Sequence, residues 1–181
     1  VLVFRSGVEI TAAVIEAARC LRLIVRAGSG MDNIDLPSVE RRRIPFVRIP
    51  GPGARAVAEM AFAHMLALAR NLLRADRLMR QGRFAKAEMT GYLLQGKTLG
   101  VVGAGNIGSK VGQMGAAWGM RVLGCTENGG QKEVDRLAAL GIRRTTLDEV
   151  LRRSDFVSVH VPLQDSTRNL IDADAFARMK R

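Results

Sequence analysis

The sequence predicts an α/β protein with parallel sheets, and three observations carry that prediction. Short apolar runs alternate along the chain with segments whose apolar residues recur every three or four positions, the signature of strand and helix in turn. Runs such as Leu21–Val25 have the apolar character of strands covered on both faces. Glycine-rich turns at 26–30 and 103–108 each follow such a run.

The elements follow in order. Val1–Phe4 is expected as a strand, and Thr11 can cap a helix through Ala18. Leu21–Val25 is the next strand, followed by the turn Arg26-Ala27-Gly28-Ser29-Gly30. Pro37 suits the first turn of a helix over Pro37–Arg42, and Ile44–Ile49 returns as a strand. After the break Pro50-Gly51-Pro52-Gly53, one long helix is expected from Ala54 to about Met79. Ala58, Ala61, Phe62, Met65, Ala69, Leu72 and Leu73 form its apolar face. Gly82 and Gly91 punctuate a looser segment before a second α/β unit begins at Gly96. There Thr98–Val102 is a strand, Asn106–Trp118 a helix facing the sheet with Ile107, Val111, Met114 and Trp118, and Arg121–Cys125 a strand. Glu133–Leu140 is a helix closed by Gly141. Thr146 and Glu149 form a capping box for a helix to about Arg152. Phe156–Val161 is a strand, and Asp172 caps a last helix that runs off the end of the chain. The expected organisation is a first unit over 1–95, with the long helix as connector, and a second over 96–181.

Composition narrows the function classes. Hydrophobic residues make up 48% and aromatic ones 4%, so the core is built from aliphatic side chains and methionine. The apolar run Met60–Ala69 falls far short of the ~20 residues of a membrane span, and no secretory leader pattern is seen at the N-terminus. Cys20 and Cys125 lie far apart in apolar contexts, as expected of free, buried thiols in a reducing cytoplasm, and no metal-ligand cluster is evident. The net charge of +11 raises nucleic acid as a partner. Residues 1–95 carry 15 basic and 8 acidic side chains and residues 96–181 carry 13 and 9, so the excess is spread rather than focused. The one basic run, Arg41-Arg42-Arg43, ends a helix where cations favour the dipole, and aromatic residues are too few to stack bases. No nucleic-acid partner is expected.

Gly103-Ala-Gly105-Asn-Ile-Gly108 is the pattern G-x-G-x-x-G, flanked by a strand before and a helix after. Gly103 permits a tight turn, Gly105 lets backbone approach a pyrophosphate, and Gly108 lets the helix pack closely on the strand. The helix N-terminus then offers free N–H groups to the anion. This predicts a Rossmann-like dinucleotide site. An acidic residue about 20 positions past the glycines normally accepts the ribose hydroxyls of NAD. Here Thr126 stands at the strand end and Glu127 one later, with Lys132 near. Either Glu127 reaches the ribose or the pocket tolerates a 2′-phosphate; NAD is expected ahead of NADP.

The stretches VLVFRS (1–6), LRLIVRAGSGMDNID (21–35), AVAE with LALARN (56–71), GKTLGVVGAGNIG (96–108) and SDFVSVHVPLQDSTRNLI (154–171) with MK at 179–180 resemble the D-isomer-specific 2-hydroxyacid dehydrogenases, nearest the D-3-phosphoglycerate dehydrogenase branch. The resemblance implies an incomplete flavodoxin-like substrate domain beside a Rossmann domain, in a homodimeric, cytoplasmic, NAD-dependent oxidoreductase. It implies that Arg5, Ser6, Gly28, Ser29 and Gly30 form the substrate side, Ser29 also touching the nicotinamide end. The cofactor side comprises Gly103, Gly105, Asn106, Ile107, Gly108, Thr126, Glu127, Val161, Pro162 and Thr167. The family usually has Arg at the place of Asn106 and Asp at that of Thr126. Arg5 and Arg26, near the expected anion site, favour phosphoglycerate, but both also occur in relatives acting on glyoxylate or hydroxypyruvate, so the substrate stays open. The family's carbonyl-polarising Arg, in an N-x-A-R-G stretch, and its Glu–His acid–base pair are expected beyond Arg181, so no catalytic residue is assigned within the chain, which reads as a fragment inactive alone. His64, among apolar residues of the long helix, is expected to be a packed or interface histidine, and His160 to be structural. An alternative from another class is an NAD-sensing corepressor-like binding module. S-adenosylhomocysteine hydrolase, with a similar cofactor domain, is disfavoured by RAGSGMDNID.

Overall fold

The computed structural model describes residues 1–127 and 129–180. They form two compact units: Val1–Ala54 with Pro162–Arg168, and Arg55–Val161 with Asn169–Arg181.

In the first unit, β1 (Leu2–Phe4), β2 (Ile24–Arg26) and β3 (Phe46–Arg48) form a parallel sheet in that order. The second strand thus starts at Ile24 rather than Leu21, because the Leu21 N–H turns back to the Ala18 carbonyl after the first helix. That helix, α1 (Ala12–Ala17), is capped by Thr11, and α2 (Leu36–Arg41) by Asp35, whose carboxylate accepts from the Ser38 N–H at 2.8 Å. Arg42 donates to the Ile15 and Ala18 carbonyls at the end of α1, and Arg41 pairs with Glu16 at 3.2 Å. Part of the basic run is thereby spent on capping a neighbouring helix. Phe4, Ile10, Ile15, Ile24, Ile34, Val39 and Ile44 make the core.

The second unit opens with a helix that departs from expectation. The predicted single helix is two, α3 (Ala54–Ala69) and α4 (Leu72–Arg80), bent by 65°. Asn71 adopts the left-handed conformation at φ 52° and donates its side-chain amide to the Thr90 carbonyl at 3.1 Å. The Tyr92 N–H takes the freed Ala69 carbonyl at 3.0 Å, so the 90–92 loop satisfies what the break exposes. Consequently Ala58, Phe62, Met65 and Ala69 are buried with Leu99, Val101, Val111 and Met120, whereas Leu72 and Leu73 are exposed. His64 is exposed on the opposite face of α3, so of the two expected roles it is not packed within the chain. No single helix among the described residues is long and apolar enough to cross a membrane.

A 3-10 turn (Lys86–Glu88) leads to β4 (Thr98–Val102), α5 (Asn106–Ala117), β5 (Arg121–Cys125), α6 (Gln131–Ala138), β6 (Ile142–Arg144), α7 (Leu147–Arg153), β7 (Phe156–Val159) and α8 (Ala173–Arg178). The parallel sheet runs β6-β5-β4-β7, with β4 fully buried at its centre. β6 is a strand that the sequence reading omitted. The face of α5 that meets the sheet is made of Gly108, Val111, Gly112 and Gly115, and Trp118, expected on that face, is half exposed with its ring 6.0 Å from that of Phe62. The last helix stops at Arg178, where Met179 turns extended. Cys20 is exposed in the turn after α1 and Cys125 is half-buried, so only the second thiol is sheltered as expected; both are free.

Thr146 caps α7 by accepting from the Glu149 N–H at 3.2 Å, but the reciprocal half of the capping box is missing. The Glu149 carboxylate instead takes the Thr145 hydroxyl, Arg143 at 2.6 Å and Arg153 at 2.7 Å, which together hold it down at about 2. A carboxylate with a folded pKa below its unfolded one stabilises the fold above the unfolded value near 4.5, and that contribution is lost as pH falls toward 2. Glu149→Gln is therefore expected to lower the melting temperature at pH 7 and to flatten its decline between pH 4.5 and 2. Melting curves of both chains across that range check this; superimposable pH profiles would remove Glu149 from the account.

Candidate functional site

The C-terminal end of β4 carries the glycine turn. Central position in a parallel sheet, with β5 and β7 on either side, places this turn where open α/β sheets bind ligands. The N–H groups of Gly103 and Ala104 donate to the Cys125 carbonyl at 2.9 and 3.2 Å, tying the turn to the end of β5.

The three glycines answer to three different demands. Gly103 has φ +88°, and a Cβ there would sit 2.6 Å from the His160 carbonyl oxygen and 2.8 Å from Val161 Cγ1. Gly108 lies so close to the strand that a Cβ would meet the Gly103 carbonyl oxygen at 2.2 Å. Gly105 is different. Its φ of −77° suits any residue, and a Cβ there would have nothing within 4 Å. No neighbouring atom demands glycine at 105, and the open space in front of it is what a ligand approaching the backbone requires.

Gly105 caps α5 without a side-chain hydrogen bond. Among the described residues, the amides of Gly105, Asn106 and Ile107 meet no protein acceptor. A twelve-residue helix thus ends in unpaired N–H groups beside open space, with the positive end of its dipole adding to them. The residues fit a dinucleotide pyrophosphate.

Two side chains absent from the sequence reading brace this turn. Ser109 Oγ donates to the Ala104 carbonyl at 2.8 Å. Arg136, on α6, reaches across to the same carbonyl at 2.8 Å and to Ser109 Oγ at 3.0 Å, while Glu133 grips its other edge through two contacts of 2.8 Å. The Arg136 hydrogen bonds hold Glu133 below the usual carboxylate range. Only the i, i+3 spacing of Glu133 and Arg136 hinted at this pair; nothing local announced its reach to residue 104.

Thr126 is half-buried and Glu127 exposed just past β5. Val161 lies against Gly103. Pro162 and Thr167 sit in the 162–168 segment that clusters with the first unit, where the Thr167 hydroxyl donates to the Pro162 carbonyl and accepts from the Gln164 N–H at 3.0 Å. His160 shares a 2.8 Å hydrogen bond with Ser158 Oγ, and burial pushes its pKa down, so it stays neutral at physiological pH.

In the first unit, Arg5 and Ser6 form the exposed bend after β1, held by Asn33, whose amide donates to the Arg5 and Val8 carbonyls at 3.2 and 2.7 Å. Gly28, Ser29 and Gly30 form the bend after β2, and Ser29 Oγ donates to the Pro50 carbonyl at 3.0 Å. Arg26 does not point outward as an anion ligand. It is 3% exposed, spans the bend by donating to the Gly30 and Ala27 carbonyls at 3.1 and 3.3 Å, and lies 5.3 Å from the centroid of the Phe4 ring. Its positive charge shapes the bend from beneath, so its side chain is a buttress and Arg5 is left as the outward cation.

A separate cleft of about 530 Å³, lined by Arg121, Arg143, Arg152 and Lys180 among others, opens at the opposite end of the second sheet, near the starts of β4 and β5. Asp148, Glu149 and Asp155 already pair with three of those cations.

Residues 62–181 match the model of the family described as D-isomer specific 2-hydroxyacid dehydrogenase, NAD binding domain. The chain is 41% identical over 180 residues to hydroxypyruvate reductase of Thermotoga maritima, covering 99% of this chain and 57% of that one. It is 38% identical to D-3-phosphoglycerate dehydrogenase of Methanocaldococcus jannaschii, covering 100% of this chain and 34% of the relative. Among solved structures, D-lactate dehydrogenase from Aquifex aeolicus, complexed with NAD and lactic acid, is similar with a TM-score of 0.86 and 32% identity, over 98% of this chain and 53% of that one. The chain thus spans roughly a third to somewhat over half of the length of these proteins.

Proposed function

The chain belongs to the D-isomer specific 2-hydroxyacid dehydrogenase family, and from that premise we propose that it supplies the cofactor and carboxylate sites of an NAD-dependent oxidoreductase of the phosphoglycerate dehydrogenase type. The reaction class is hydride transfer between C2 of a 2-hydroxy or 2-keto acid and the nicotinamide. The observation that carries the reading is Gly105: open space, an ordinary backbone angle and three amides without acceptors, all at one turn.

In this reading the N–H groups of Gly105, Asn106 and Ile107 hold the pyrophosphate, and Arg136 with Ser109 keeps the turn from relaxing when it is empty. Thr126 and Glu127 meet the adenosine ribose; Val161, Pro162, Thr167 and Ser29 are assigned to the nicotinamide side. The N–H groups of Ser29 and Gly30 face the substrate carboxylate, with Arg5 and Ser6 beside it, whereas the Gly28 N–H is turned back to the Arg26 carbonyl at 3.1 Å and only shapes the bend. When bound, the dinucleotide supplies the hydride acceptor, and the protein contributes orientation and electrostatics. Neither histidine of the chain is assigned as the acid–base group: His64 lies on an exposed helix face, and His160 is engaged by Ser158 Oγ at 2.8 Å. No residue among the described ones is assigned as the proton-handling pair or as the arginine that polarises the substrate oxygen. A homodimer joined through the second unit is supported by the exposed Leu68, Leu72 and Leu73, and a cytoplasmic setting by the two free thiols.

Titration of the 181-residue chain with NADH, read by nicotinamide fluorescence, is expected to give saturable binding. The same chain is expected to show no oxidation of NADH with hydroxypyruvate. Absence of saturable binding would overturn the cofactor assignment, and measurable turnover would overturn the reading that residues 1–181 hold no acid–base group.

A further inference from the structure

In the second unit, the end of the sheet opposite the glycine turn is cationic. β4 and β5 start in register, Thr98 beside Arg121, and β6 joins with Arg143 beside Leu123. Side chains alternate along a strand and parallel partners point the same way, so Arg121, Leu123 and Arg143 share one face of the sheet. α7 packs on that face, since a Cβ at Gly100, in register with Leu123, would meet Val150 Cγ1 at 2.6 Å. The last turn of α7 brings Arg152 and Arg153, and Lys180 follows α8. Between them lies the cleft of about 530 Å³.

Five cations line this cleft, Arg121, Arg143, Arg152, Arg153 and Lys180, and among the described residues no carboxylate does. The acids that answer them stand outside the lining and are too few. Glu149 is divided between Arg143 and Arg153, and Asp148 between Arg152 and Arg178. Asp155 holds Lys180 at 3.0 Å and also accepts from the Thr98 N–H at 2.7 Å. Arg121 has no acidic partner among the described residues. Cations gathered in this way repel one another, and a multiply charged anion relieves all of them at once.

The lining also selects the class of anion. Guanidinium forks meet phosphate oxygens two at a time. One or two of them suffice for a single phosphate, whereas cations on β5, β6 and the end of α7 suit several phosphates in a row. The volume falls within the range of roughly 300–1,000 Å³ of small-molecule sites. The five residues of β4, about 13–17 Å, separate the cleft from the glycine turn, so both can be filled together.

We infer that this cleft is a second anion site, which takes a chain of linked phosphates such as inorganic tripolyphosphate or the tail of a nucleoside triphosphate. The inference does not rest on the dinucleotide reading of the glycine turn.

Calorimetric titration of the chain with tripolyphosphate at low ionic strength tests it, beside the Arg121→Glu, Arg121→Lys and Gly105→Val variants, each first shown by its melting curve to be folded. Arg121 is exposed and unpaired, so its replacement is expected to leave stability unchanged. Arg121→Glu is expected to weaken tripolyphosphate by about tenfold or more, as loss of a charge-assisted contact does. Arg121→Lys, which keeps the charge, is expected to weaken it roughly threefold or less. Gly105→Val, which closes the glycine turn, is expected to leave the affinity within about twofold, and orthophosphate to bind about tenfold more weakly than tripolyphosphate. ATP titrated into the Gly105→Val chain distinguishes the sources: a Kd below that of tripolyphosphate identifies a nucleoside triphosphate, an equal or higher one a bare polyphosphate. Absence of saturable heat, equal affinity for orthophosphate, or an unchanged affinity in Arg121→Glu overturns the inference. Loss of binding in Gly105→Val would place the phosphates at the glycine turn and overturn it as well. NADH titration of the same chains is read separately, so the dinucleotide reading stands or falls by its own result.

Discussion

Gly108→Val is expected to destabilise the second unit severely and to abolish dinucleotide binding as a consequence. The Cβ it introduces would stand 2.2 Å from the Gly103 carbonyl oxygen and 2.8 Å from Val101 Cγ1. Neither neighbour can yield. The Gly103 carbonyl belongs to a turn whose N–H is fixed to the Cys125 carbonyl at 2.9 Å, and Val101 is completely buried in the central strand. The helix must therefore move away from β4, opening the contacts that Val111, Gly112 and Gly115 make with the sheet. Overpacking of this kind costs about 3 kcal/mol or more, which for a chain of this size is a fall of roughly 6–12 °C in Tm. Thermal unfolding followed by circular dichroism measures it. A variant as stable as the parent would mean that α5 does not approach the strand as closely as described.

Gly105→Val is expected to do the reverse: to leave the fold unchanged and remove the ligand. Its Cβ enters open space at a φ of −77°, so the cost to folding is confined to replacing a glycine helix cap by valine, about 1 kcal/mol or less. The same methyl groups fill the volume through which a pyrophosphate reaches the amides of Gly105, Asn106 and Ile107. Hydrogen bonds to a charged group contribute about 1.5–3 kcal/mol each, and loss of two of them corresponds to a fall of roughly two to four orders of magnitude in affinity. Melting temperature and NADH affinity, measured on the same preparation, separate the two effects. An unchanged affinity would show that the space before Gly105 is not where the dinucleotide lies. Together the two valines distinguish a glycine required by the fold from one kept for a ligand.

How much of this was legible in the sequence depends on how local each cause is. The glycine turn could be read because its demands are set within six residues: a strand that ends, a positive φ at 103, a helix that begins. Thr11, Thr146 and Gly141 announced helix ends for the same reason, Gly141 by adopting φ +73°. The break between α3 and α4 was not legible. The apolar spacing continues through Asn71, and what bends the chain is the Thr90 carbonyl, 19 residues later. The missing half of the capping box has a similar origin, since Arg143 and Arg153 outcompete a backbone N–H for Glu149. β6 is too short to show a pattern: three residues, two of them arginine. Arg136 gained meaning only when α6 was placed beside the turn, where it reaches the Ala104 carbonyl and Ser109. Arg26 shows the converse. Its place in a glycine-rich bend suggested an outward anion ligand, and only the fold reveals that the carbonyls of that bend draw it inward.

The central claim is that the backbone amides after β4 are held open for a dinucleotide. Amide proton–nitrogen NMR spectra of the labelled chain, recorded during addition of NAD, test it most directly. The signals of Gly105, Asn106 and Ile107 are expected to move furthest and to saturate together, while those of the buried β4 amides stay in place. Saturating shifts elsewhere with these three unmoved would place the ligand at another site and contradict the account.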